Sequence, residues 1–378
     1  MLERRDARDA PARFRVLAAR AALAVVALAG AAGSCLPREA ARPAQLSAHI
    51  ITTERGPRGG RLVLVDEDGA RLADLTPIAR RQATIDANPA WSADGRWIAF
   101  ASNRERGALD QTSLWLVGSR RGSPLTRLTR ERGVDRDPRW SPDGRHVVYA
   151  SSTGVTFDLW VIDVAPDSAG RPQPVGRPRR LTATDRLDEL APSVSPDGRT
   201  VVYMGLDRDT QRSRLYLVPL AGGAARHLTD GPADMTPCFA PDGRAIAFAA
   251  PVKGRDDIDL WAIDADGGNR RLLVGEPLAD ETGPVWSSDG RFVFATSVLR
   301  SVATGLPILS SLAFVDLRER PAMLRALHDP AQVVPRLGAA LAPDALDAER
   351  LRRHPPYRAA VQRAIREMSE RAREGGQP

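Results

Sequence analysis

The chain has 378 residues, of which 43% are hydrophobic and only 5% aromatic. This length is enough for a large buried core and is compatible with one or two domains. The 31 glycines and 30 prolines favour a turn-rich β protein over a helical one. The formal net charge of +7 is not concentrated in a basic run interleaved with aromatic residues, which argues against a nucleic-acid-binding protein.

The first 34 residues have the pattern of a secretory signal. An arginine-bearing leader precedes a run of small apolar residues that is shorter than the roughly 20 residues of a membrane-spanning helix. The run ends in AAGSC, which resembles a bacterial lipobox and implies removal of residues 1–34 and lipidation of Cys35. An ordinary signal peptide with an incidental cysteine is the alternative. Residues 35–45 are then a short tether from the lipid.

The only other cysteine is Cys238. It lies in an apolar run between Pro237 and Phe239, which favours a buried, inert thiol. If Cys35 is lipidated, Cys238 has no partner, and no intrachain disulfide is expected.

A short pentapeptide, SPDGR or a close variant, occurs five times in the chain. Each copy precedes an apolar run such as HVVYAS, a variable polar loop and a second apolar run such as DLWVID. Three units then close with RLT, RLT and HLT. Four short β segments in each unit predict a β-propeller whose blades are four-stranded antiparallel sheets. The aspartates of the five copies are Asp94, Asp143, Asp197, Asp242 and Asp289.

A sixth unit is incomplete. Residues 49–76 match the repeat from its second strand onward, so the sequence predicts six blades over residues 46–338, one of which lacks its innermost strand. An open sheet edge promotes aggregation, so that strand should come from elsewhere in the chain. Residues 329–338 are the first candidate, and residues 43–48 are the second.

Residues 339–378 are rich in Ala, Arg and Glu and predict a helical C-terminal tail. Val361, Ile365 and Met368 would share one helix face. This face suits either docking on the propeller or binding of a partner.

The repeated turn has a conformational basis. Proline presets φ at the first corner of a type I turn, and glycine takes the left-handed conformation that other residues resist. Ala93 and Ser288 replace the proline in two copies, whereas Asp-Gly is always retained. Asp-Gly therefore carries the turn.

The pattern P-x-W-S-P-D-G-R followed by D-L-W resembles the PD40, or WD40-like, repeat. This is the repeat of the TolB propeller and of the propellers that cap prolyl oligopeptidase-type enzymes. The resemblance covers residues 46–330 and implies an all-β, six-bladed propeller. TolB carries a separate α/β domain before its propeller, whereas about ten residues separate Cys35 from the first strand of this chain. We therefore expect a TolB-like propeller lipoprotein. Leu36 after the cysteine resembles the outer-membrane sorting pattern, which implies a location at the outer membrane facing the periplasm.

Motifs of catalysis are absent from the sequence. It contains no G-x-S-x-G, no H-E-x-x-H and no phosphate-binding G-x-x-x-x-G-K-[ST], and its five histidines are scattered. The sequence therefore predicts a protein that is not an enzyme and needs no cofactor.

An acidic residue stands three positions before the proline of each repeat. A ring of five carboxylates would suit a calcium ion or a basic segment of a partner. The other interpretation is that each acid bonds its own turn or the neighbouring blade. The five acids are Asp86, Asp135, Glu189, Asp234 and Glu281.

Binding sites should instead break the repeat symmetry, as the variable loops do. These loops span residues 103–112, 153–157, 206–213, 251–258 and 298–309. The sequence predicts a monomeric, non-catalytic scaffold that binds an envelope protein. The alternative is a channel-sited enzyme or a glycan- or peptide-binding module that uses Asp86 or its equivalents.

Overall fold

The computed structural model describes most of the chain after residue 49. The described ranges are 50–56, 59–66, 70–77, 84–105, 111–131, 133–152, 155–255, 257–277, 279–300, 307–327, 336–341, 351–354 and 356–374. The predicted signal, Cys35 and the tether lie outside these residues. Among the described residues, no helix has the length and hydropathy needed to cross a membrane.

The described strands form sheets, named A to F in chain order. Sheet A begins with β1 (Ile50–Gly56), β2 (Gly59–Val65) and β3 (Arg71–Asp74). Sheet B contains β4 (Thr84–Trp91), β5 (Trp97–Ser102), β6 (Ser113–Gly118) and β7 (Thr126–Arg127). Sheet C contains β8 (Val134–Trp140), β9 (His146–Ser152), β10 (Asp158–Pro166) and β11 (Pro172–Arg180).

Sheets D, E and F repeat this arrangement. Sheet D contains β12 (Leu187–Val194), β13 (Thr200–Asp207), β14 (Ser213–Pro219) and β15 (Arg226–His227). Sheet E contains β16 (Met235–Phe239), β17 (Ala245–Pro251), β18 (Ile258–Asp264) and β19 (Arg271–Val274). Sheet F contains β20 (Ala279–Trp286), β21 (Phe292–Arg300), β22 (Pro307–Asp316) and β23 (Leu324–Ala326).

Two elements follow sheet F, namely β24 (Arg336–Leu341) and the helix α1 (Tyr357–Glu374). Sheets B to F each consist of four consecutive antiparallel strands. The predicted all-β class with four-stranded antiparallel units is therefore confirmed. The repeat places the five Asp-Gly turns at one end of the sheets, the turn face. The loops between second and third strands lie at the other end, the loop face.

Sheet A takes its innermost strand from the far end of the chain. β24 pairs antiparallel with β1, with Ile50 opposite Leu341 and Thr52 opposite Ala339. The strand overlaps the last three residues of the predicted segment 329–338 and continues beyond it. This pairing covers the edge of β1, which would otherwise present unpaired backbone groups. The rival segment, 43–48, lies outside the described residues.

Sheets A and B are also joined edge to edge. A short parallel pairing places Gly59 of β2 opposite Thr84 of β4 and Gly60 opposite Ile85. At Gly59 the backbone has φ of 116°, and a Cβ atom would lie 1.9 Å from the carbonyl oxygen of Thr84. Only glycine permits an approach this close. The pairing makes A and B one eight-stranded sheet.

The second strands of the sheets are buried on both faces, since each sheet packs against its neighbours. One apolar cluster joins sheets C, D and E and includes Val148, Val202 and Phe248. Another joins sheets A and F through Ile50, Val63 and residues that include Phe294 and Phe314. Their β-branched and aromatic side chains suit such a pleated, buried surface.

Each innermost strand of sheets B to F contains a β-bulge directly before its proline. The bulge residue is in the left-handed region, with φ between 49° and 62°. The bulges bond across sheets, since Asp137 accepts hydrogen bonds from Asn88 Nδ2 at 2.6 Å and from Ala191 N at 3.2 Å. Gly283 N likewise donates to Thr236 Oγ1 at 3.1 Å. The five bulge residues are Asn88, Asp137, Ala191, Thr236 and Gly283.

The first turns of α1 pack on the last two sheets. Tyr357, Ala360 and Val361 are buried in an apolar cluster with residues of sheets E and F. Arg358 Nε forms a 2.7 Å salt bridge with Glu276. The described part of the helix therefore docks on the sheets, and Val361 belongs to the docked face. The side chains of Ile365 and Met368 lie outside the description.

Cys238 corrects one expectation. Its side chain is buried, as predicted, but the sulfur is disulfide-bonded. The expectation of an unpaired thiol at this position is therefore wrong. The only other cysteine in the sequence is Cys35, which lies outside the described residues.

Candidate functional site

The five repeated acids lie at the loop-face ends of the innermost strands, where the repeat predicts them. All five are buried, with exposed fractions between 0% and 2%. Each carboxylate therefore needs hydrogen-bond donors from the protein itself, because burying an unpaired charge is costly. Those donors come from neighbouring strands and sheets.

Asp135 of sheet C shows the arrangement clearly. It accepts a hydrogen bond from Thr129, the threonine that follows the outermost strand of sheet B, and one from Ser151 of β9 at 2.6 Å. Thr129 Oγ1 in turn accepts a hydrogen bond from Leu114 N of β6 at 2.8 Å. One hydroxyl group thus links the third strand of one sheet to the first strand of the next. We call this a threonine–carboxylate latch.

The latch recurs at the flanking sheets. Thr182 accepts from Leu159 N of sheet C at 2.9 Å and donates to Glu189 of sheet D. Burial raises the pKa of Glu189 to about 7, and the charge of Asp158 adds to this shift, while hydrogen bonds such as that from Thr182 oppose it.

Thr76 of sheet A relates to Asp86 of sheet B in the same way. Thr76 accepts from Leu62 N at 2.9 Å, and its hydroxyl bonds the Asp86 carboxyl. Asp86 also accepts a hydrogen bond from Ser102 Oγ at 2.6 Å and pairs with Arg104.

The last two acids depart from the latch. Asp234 forms a bidentate pair with Arg270, at 2.9 and 3.0 Å. Thr229 still accepts a hydrogen bond from Leu215 N at 3.0 Å. Glu281 accepts from Ser297 Oγ at 2.8 Å and from Glu276 N at 3.4 Å.

The structure thus uses the five acids separately, each within its own sheet junction. Among the described residues, no group of three or more His, Cys, Asp or Glu side chains is arranged to hold a metal ion. A binding role for Asp86, Asp135, Glu189, Asp234 and Glu281 stays a prediction, and their hydrogen bonds account for their recurrence.

The repeat symmetry is broken at the junction of sheets E and F. Five acids gather there with three arginines, and we call the acids the E–F carboxylate cluster. The cluster consists of Asp257, Asp259, Glu276, Asp280 and Glu281, and the arginines are Arg255, Arg300 and Arg358.

Arg255 lies between two of these acids. Its Nε atom donates to the Asp257 carboxylate at 2.9 and 3.0 Å, and its Nη2 atom to Asp259 Oδ1 at 3.1 Å. The Arg255 side chain keeps 34% of its surface exposed. A guanidinium group therefore fits between Asp257 and Asp259 at the edge of the loop face.

Asp259 is the acid of the cluster whose hydrogen bonding is incomplete. Its side chain is fully buried, and its Oδ2 atom has no hydrogen-bond partner among the described residues. The carboxylate lies against Gly275, where a Cβ atom would be 2.1 Å from the Asp259 Cγ atom. Any side chain at position 275 would therefore clash with this carboxylate unless the carboxylate moved.

Mutual repulsion and burial disfavour the charged forms of these acids. Burial raises the pKa of Asp259 to about 6; Asp257, Asp280 and Glu276 add to the shift, and Arg255 opposes it. Burial also raises the pKa of Glu281 well above its usual value, and Asp259 and Asp280 contribute. Strongly perturbed carboxyl groups of this kind are concentrated at functional sites.

The sequence signal for this cluster was only partial. The loop 251–258, which contains Arg255 and Asp257, stands out as one of the five that differ between repeats. Asp259 does not stand out, because the equivalent DLW of sheet C also begins with an aspartate, Asp158. The unsatisfied oxygen of Asp259 is visible only once Gly275 and Glu281 are placed beside it.

Comparison with known proteins supports the fold. Residues 108–288 match the family model of PD40, the TolB beta propeller domain. No match was found among curated proteins.

Solved structures extend the likeness beyond the matched PD40 residues. TolB from Acinetobacter baumannii is 20% identical with a TM-score of 0.62, over 80% of this chain and 68% of that chain. A putative TolB from Agrobacterium tumefaciens is 17% identical with a TM-score of 0.54, over 79% of this chain and 100% of that chain.

The propeller of an enzyme is similar as well. A puromycin hydrolase S511A mutant complexed with PGG is 18% identical with a TM-score of 0.52, over 79% of this chain and 49% of that chain. At these identities the likeness shows a TolB-like propeller fold and no more.

Removal of the hydroxyl group at one latch should destabilise the propeller fold. Thr129→Val leaves Leu114 N without its acceptor and takes a donor from buried Asp135, so we expect a loss of about 1 to 3 kcal/mol in unfolding free energy. Urea unfolding followed by tryptophan fluorescence measures this loss. Thr126→Val, three residues earlier in the chain, is the control, and equal losses in the two variants would contradict the latch.

The E–F carboxylate cluster should make stability depend on pH. Unfolded aspartate titrates near 3.9 and folded Asp259 near 6, so the folded state binds more protons between these values, and stability falls as pH rises through this window. Asp259→Asn should flatten that slope and raise the unfolding free energy at pH 7.5 by about 1 to 2 kcal/mol.

The matched control is Asp264→Asn in the same strand. Asp264 is 40% exposed and pairs with Arg271, so its replacement should change stability by less than about 0.5 kcal/mol. Urea unfolding of both variants at pH 4.5, 6 and 7.5 gives the comparison. If Asp259→Asn lowered the unfolding free energy at pH 7.5, the buried Asp259 charge would not be destabilising and the prediction would be wrong.

Proposed function

We propose that the protein is a non-catalytic, protein-binding scaffold of the cell envelope that binds a basic segment of a partner at the E–F carboxylate cluster. The observation that carries this proposal is the unsatisfied oxygen of Asp259 in a cluster of five acids and three arginines. A buried carboxylate without its full set of donors lowers stability, and such a cost is typical of sites kept for function.

The proposed scaffold is a closed ring of six blades, sheets A to F. In support, the innermost strands make a continuous cycle of contacts, from β4 to β8, β12, β16, β20, β24 and back to β4. The apolar cluster between sheets A and F adds a second line of support. In such a ring the loop face is one rim of the central channel, and the E–F carboxylate cluster lies at that rim.

The chemistry of the partner follows from the groups that the cluster already holds. Arg255 bridges Asp257 and Asp259, which indicates that an arginine side chain matches this spacing. A second guanidinium or ammonium group from a partner would supply the donor that Asp259 Oδ2 lacks, once the partly exposed Arg255 moves aside. Charge complementarity of this kind also raises the rate of encounter and fixes the register of a complex.

Replacement of one acid of the cluster should weaken partner binding. Asp257→Asn removes one carboxylate from the bridge, and we expect at least a tenfold loss of affinity for a partner captured by crosslinking in detergent-solubilised membranes. Biolayer interferometry at 50 and 200 mM salt measures the loss, together with a weaker salt dependence. The matched control is Asp209→Asn, in the sheet D loop of the same face, with a side chain that is 69% exposed.

Two results would contradict the proposed function. One is the absence of any specific partner after repeated crosslinking. The other is a partner that binds Asp257→Asn and Asp209→Asn equally well, which would place its site elsewhere.

We further propose that the protein is anchored in the outer membrane by a lipid on Cys35 and faces the periplasm. Support comes from the apolar run and AAGSC ending that precede this cysteine. The disulfide of Cys238 weighs against this proposal if its partner is Cys35, because a thiol joined to a lipid cannot also form a disulfide, and the following test decides between the two.

A fatty-acid label should therefore mark the protein through Cys35. In a bacterial host fed an alkyne fatty acid, we expect labelling of the wild type and of Cys238→Ser, and none of Cys35→Ser. Fluorescent detection in gels of membrane fractions reads this out. An unlabelled wild type, in which peptide mapping without reductant finds Cys35 joined to Cys238, would overturn the lipid anchor.

A further inference from the structure

The Asp-Gly turns of neighbouring sheets stack on one another at the turn face. The proline ring of one turn lies over the glycine of the next, where a Cβ atom would be 3.4 to 3.7 Å from the ring. Apolar contact of this kind closes the gap between the turns of consecutive sheets. The stacked pairs are Pro142 with Gly198, Pro196 with Gly243, and Pro241 with Gly290.

The junction of sheets B and C breaks this pattern. Ala93 takes the position of the proline, and no atom lies within 4 Å of the Cβ position at Gly144. Ser288 also replaces a proline, but no Asp-Gly turn follows it in the chain. The B–C junction is thus where a turn without proline is followed by another turn of the repeat.

A cavity of about 400 Å³ opens at this junction. Its walls include the indole rings of Trp97 and Trp140 and three prolines, Pro142, Pro166 and Pro172. We call this cavity the tryptophan–proline groove. Trp140 is only 4% exposed, and its Nε1 atom has no hydrogen-bond partner among the described residues. The Nε1 atom is itself buried, so the groove is walled by the apolar surface of these residues and does not expose this N–H group.

A comparable cavity between sheets D and E serves as an internal reference. It has a volume of about 540 Å³ and contains one aromatic side chain, Phe239, among its lining residues. There Pro196 covers Gly243, so the surface that is open at Gly144 is already occupied. The two junctions differ in the missing proline and in the two tryptophans.

We propose that the tryptophan–proline groove binds an extended, proline-bearing segment of a partner protein. A prolyl ring of that segment lies over Gly144, in the place that the chain's own prolines take at the other junctions. Aromatic-lined grooves are the common receptors for such segments, which lose little conformational entropy on binding.

Charge at the groove indicates an acidic residue beside the proline. Arg96 pairs with Asp94 at 2.6 Å, whereas the exposed Arg145 forms no ion pair within 4 Å in the described part of the chain, although its charge helps to lower the pKa of nearby Asp143. A carboxylate next to the bound proline forms an ion pair with Arg145. The groove lies at the turn face, and its proposed role goes beyond the basic segment proposed for the loop face.

The test is calorimetric titration of the full-length protein with the synthetic peptide Pro-Pro-Pro-Glu-Pro-Pro-Pro. Wild-type protein should bind this probe, and Ala93→Pro should bind it at least tenfold more weakly because its own ring covers Gly144. Position 93 has the same turn as the proline-bearing repeats, so Ala93→Pro should unfold at a temperature no lower than wild type. Ser288→Pro, which adds the same ring to sheet F, is the matched control and should bind like wild type.

Two further variants separate the interactions within the groove. Trp97→Leu removes one aromatic wall of the groove and should weaken probe binding about fivefold. Arg145→Gln should abolish the difference in affinity between the probe and heptaproline. Unchanged unfolding temperatures establish that these effects are local.

The proposal is overturned if the wild type does not bind the probe at millimolar concentration, or if Ala93→Pro binds it like wild type. It is also overturned if the probe binds only after Pro37 and Pro43 are replaced by alanine. That result would identify the N-terminal segment of this chain, instead of a partner, as the occupant.

Discussion

The second strand of each sheet is buried on both faces, and a sheet with such a strand is stable only between two neighbours. In β9, for example, the adjacent residues Val147 and Val148 point to opposite faces, and both are buried. Because every sheet needs a neighbour on each side, the unit is repeated along the chain. Sheet A packs against sheet F and pairs with β24. Most of the stabilising burial of apolar surface therefore occurs between sheets and not within a single sheet.

Polar groups at the sheet junctions follow from the same constraint. Where two sheets pack closely, backbone and side-chain donors between them are cut off from water and need partners. The threonine–carboxylate latches at Asp135 and Glu189 satisfy a strand amide of one sheet and a carboxylate of the next with one hydroxyl group. The bulges around Asp137 do the same nearer the innermost strands. The repeated acids are therefore explained by their hydrogen bonds between neighbouring sheets. Positions that differ from the repeat are the better guide to binding sites.

Two such departures lie at opposite ends of the sheets. At the loop face, Asp234 and Glu281 have lost the latch, and Asp259 is left with an oxygen that no described residue satisfies. At the turn face, Ala93 leaves open the surface that a proline covers at three other junctions. One departure is charged and the other apolar and aromatic, so the two faces suit partners of different chemistry.

Much of the architecture follows from local pattern. The Asp-Gly turn recurs with glycine in the left-handed region at Gly95, Gly144 and their equivalents, as its residues require. Its spacing, together with the alternation of apolar runs and loops, predicts the four-stranded antiparallel units that the structure contains. The position of Asp135 beside Thr129 also follows from the repeat, although the pattern alone does not distinguish a ligand from a latch. Unpaired Cys238 was predicted wrongly, since a cysteine's partner depends on the path of a distant segment.

By itself the sequence determined the turns, the strand pattern and the places where the repeat is altered, because these depend on residues close together in the chain. Only the tertiary structure decided that β24 pairs with β1, that Asp259 lies against Gly275, and that Ala93 opens a groove lined by Trp97 and Trp140. These outcomes depend on which surfaces meet when sheets pack. Contacts between residues far apart in the chain carry no local signal, and a missing contact, such as the absent proline ring over Gly144, is visible only when both of its sides are in place.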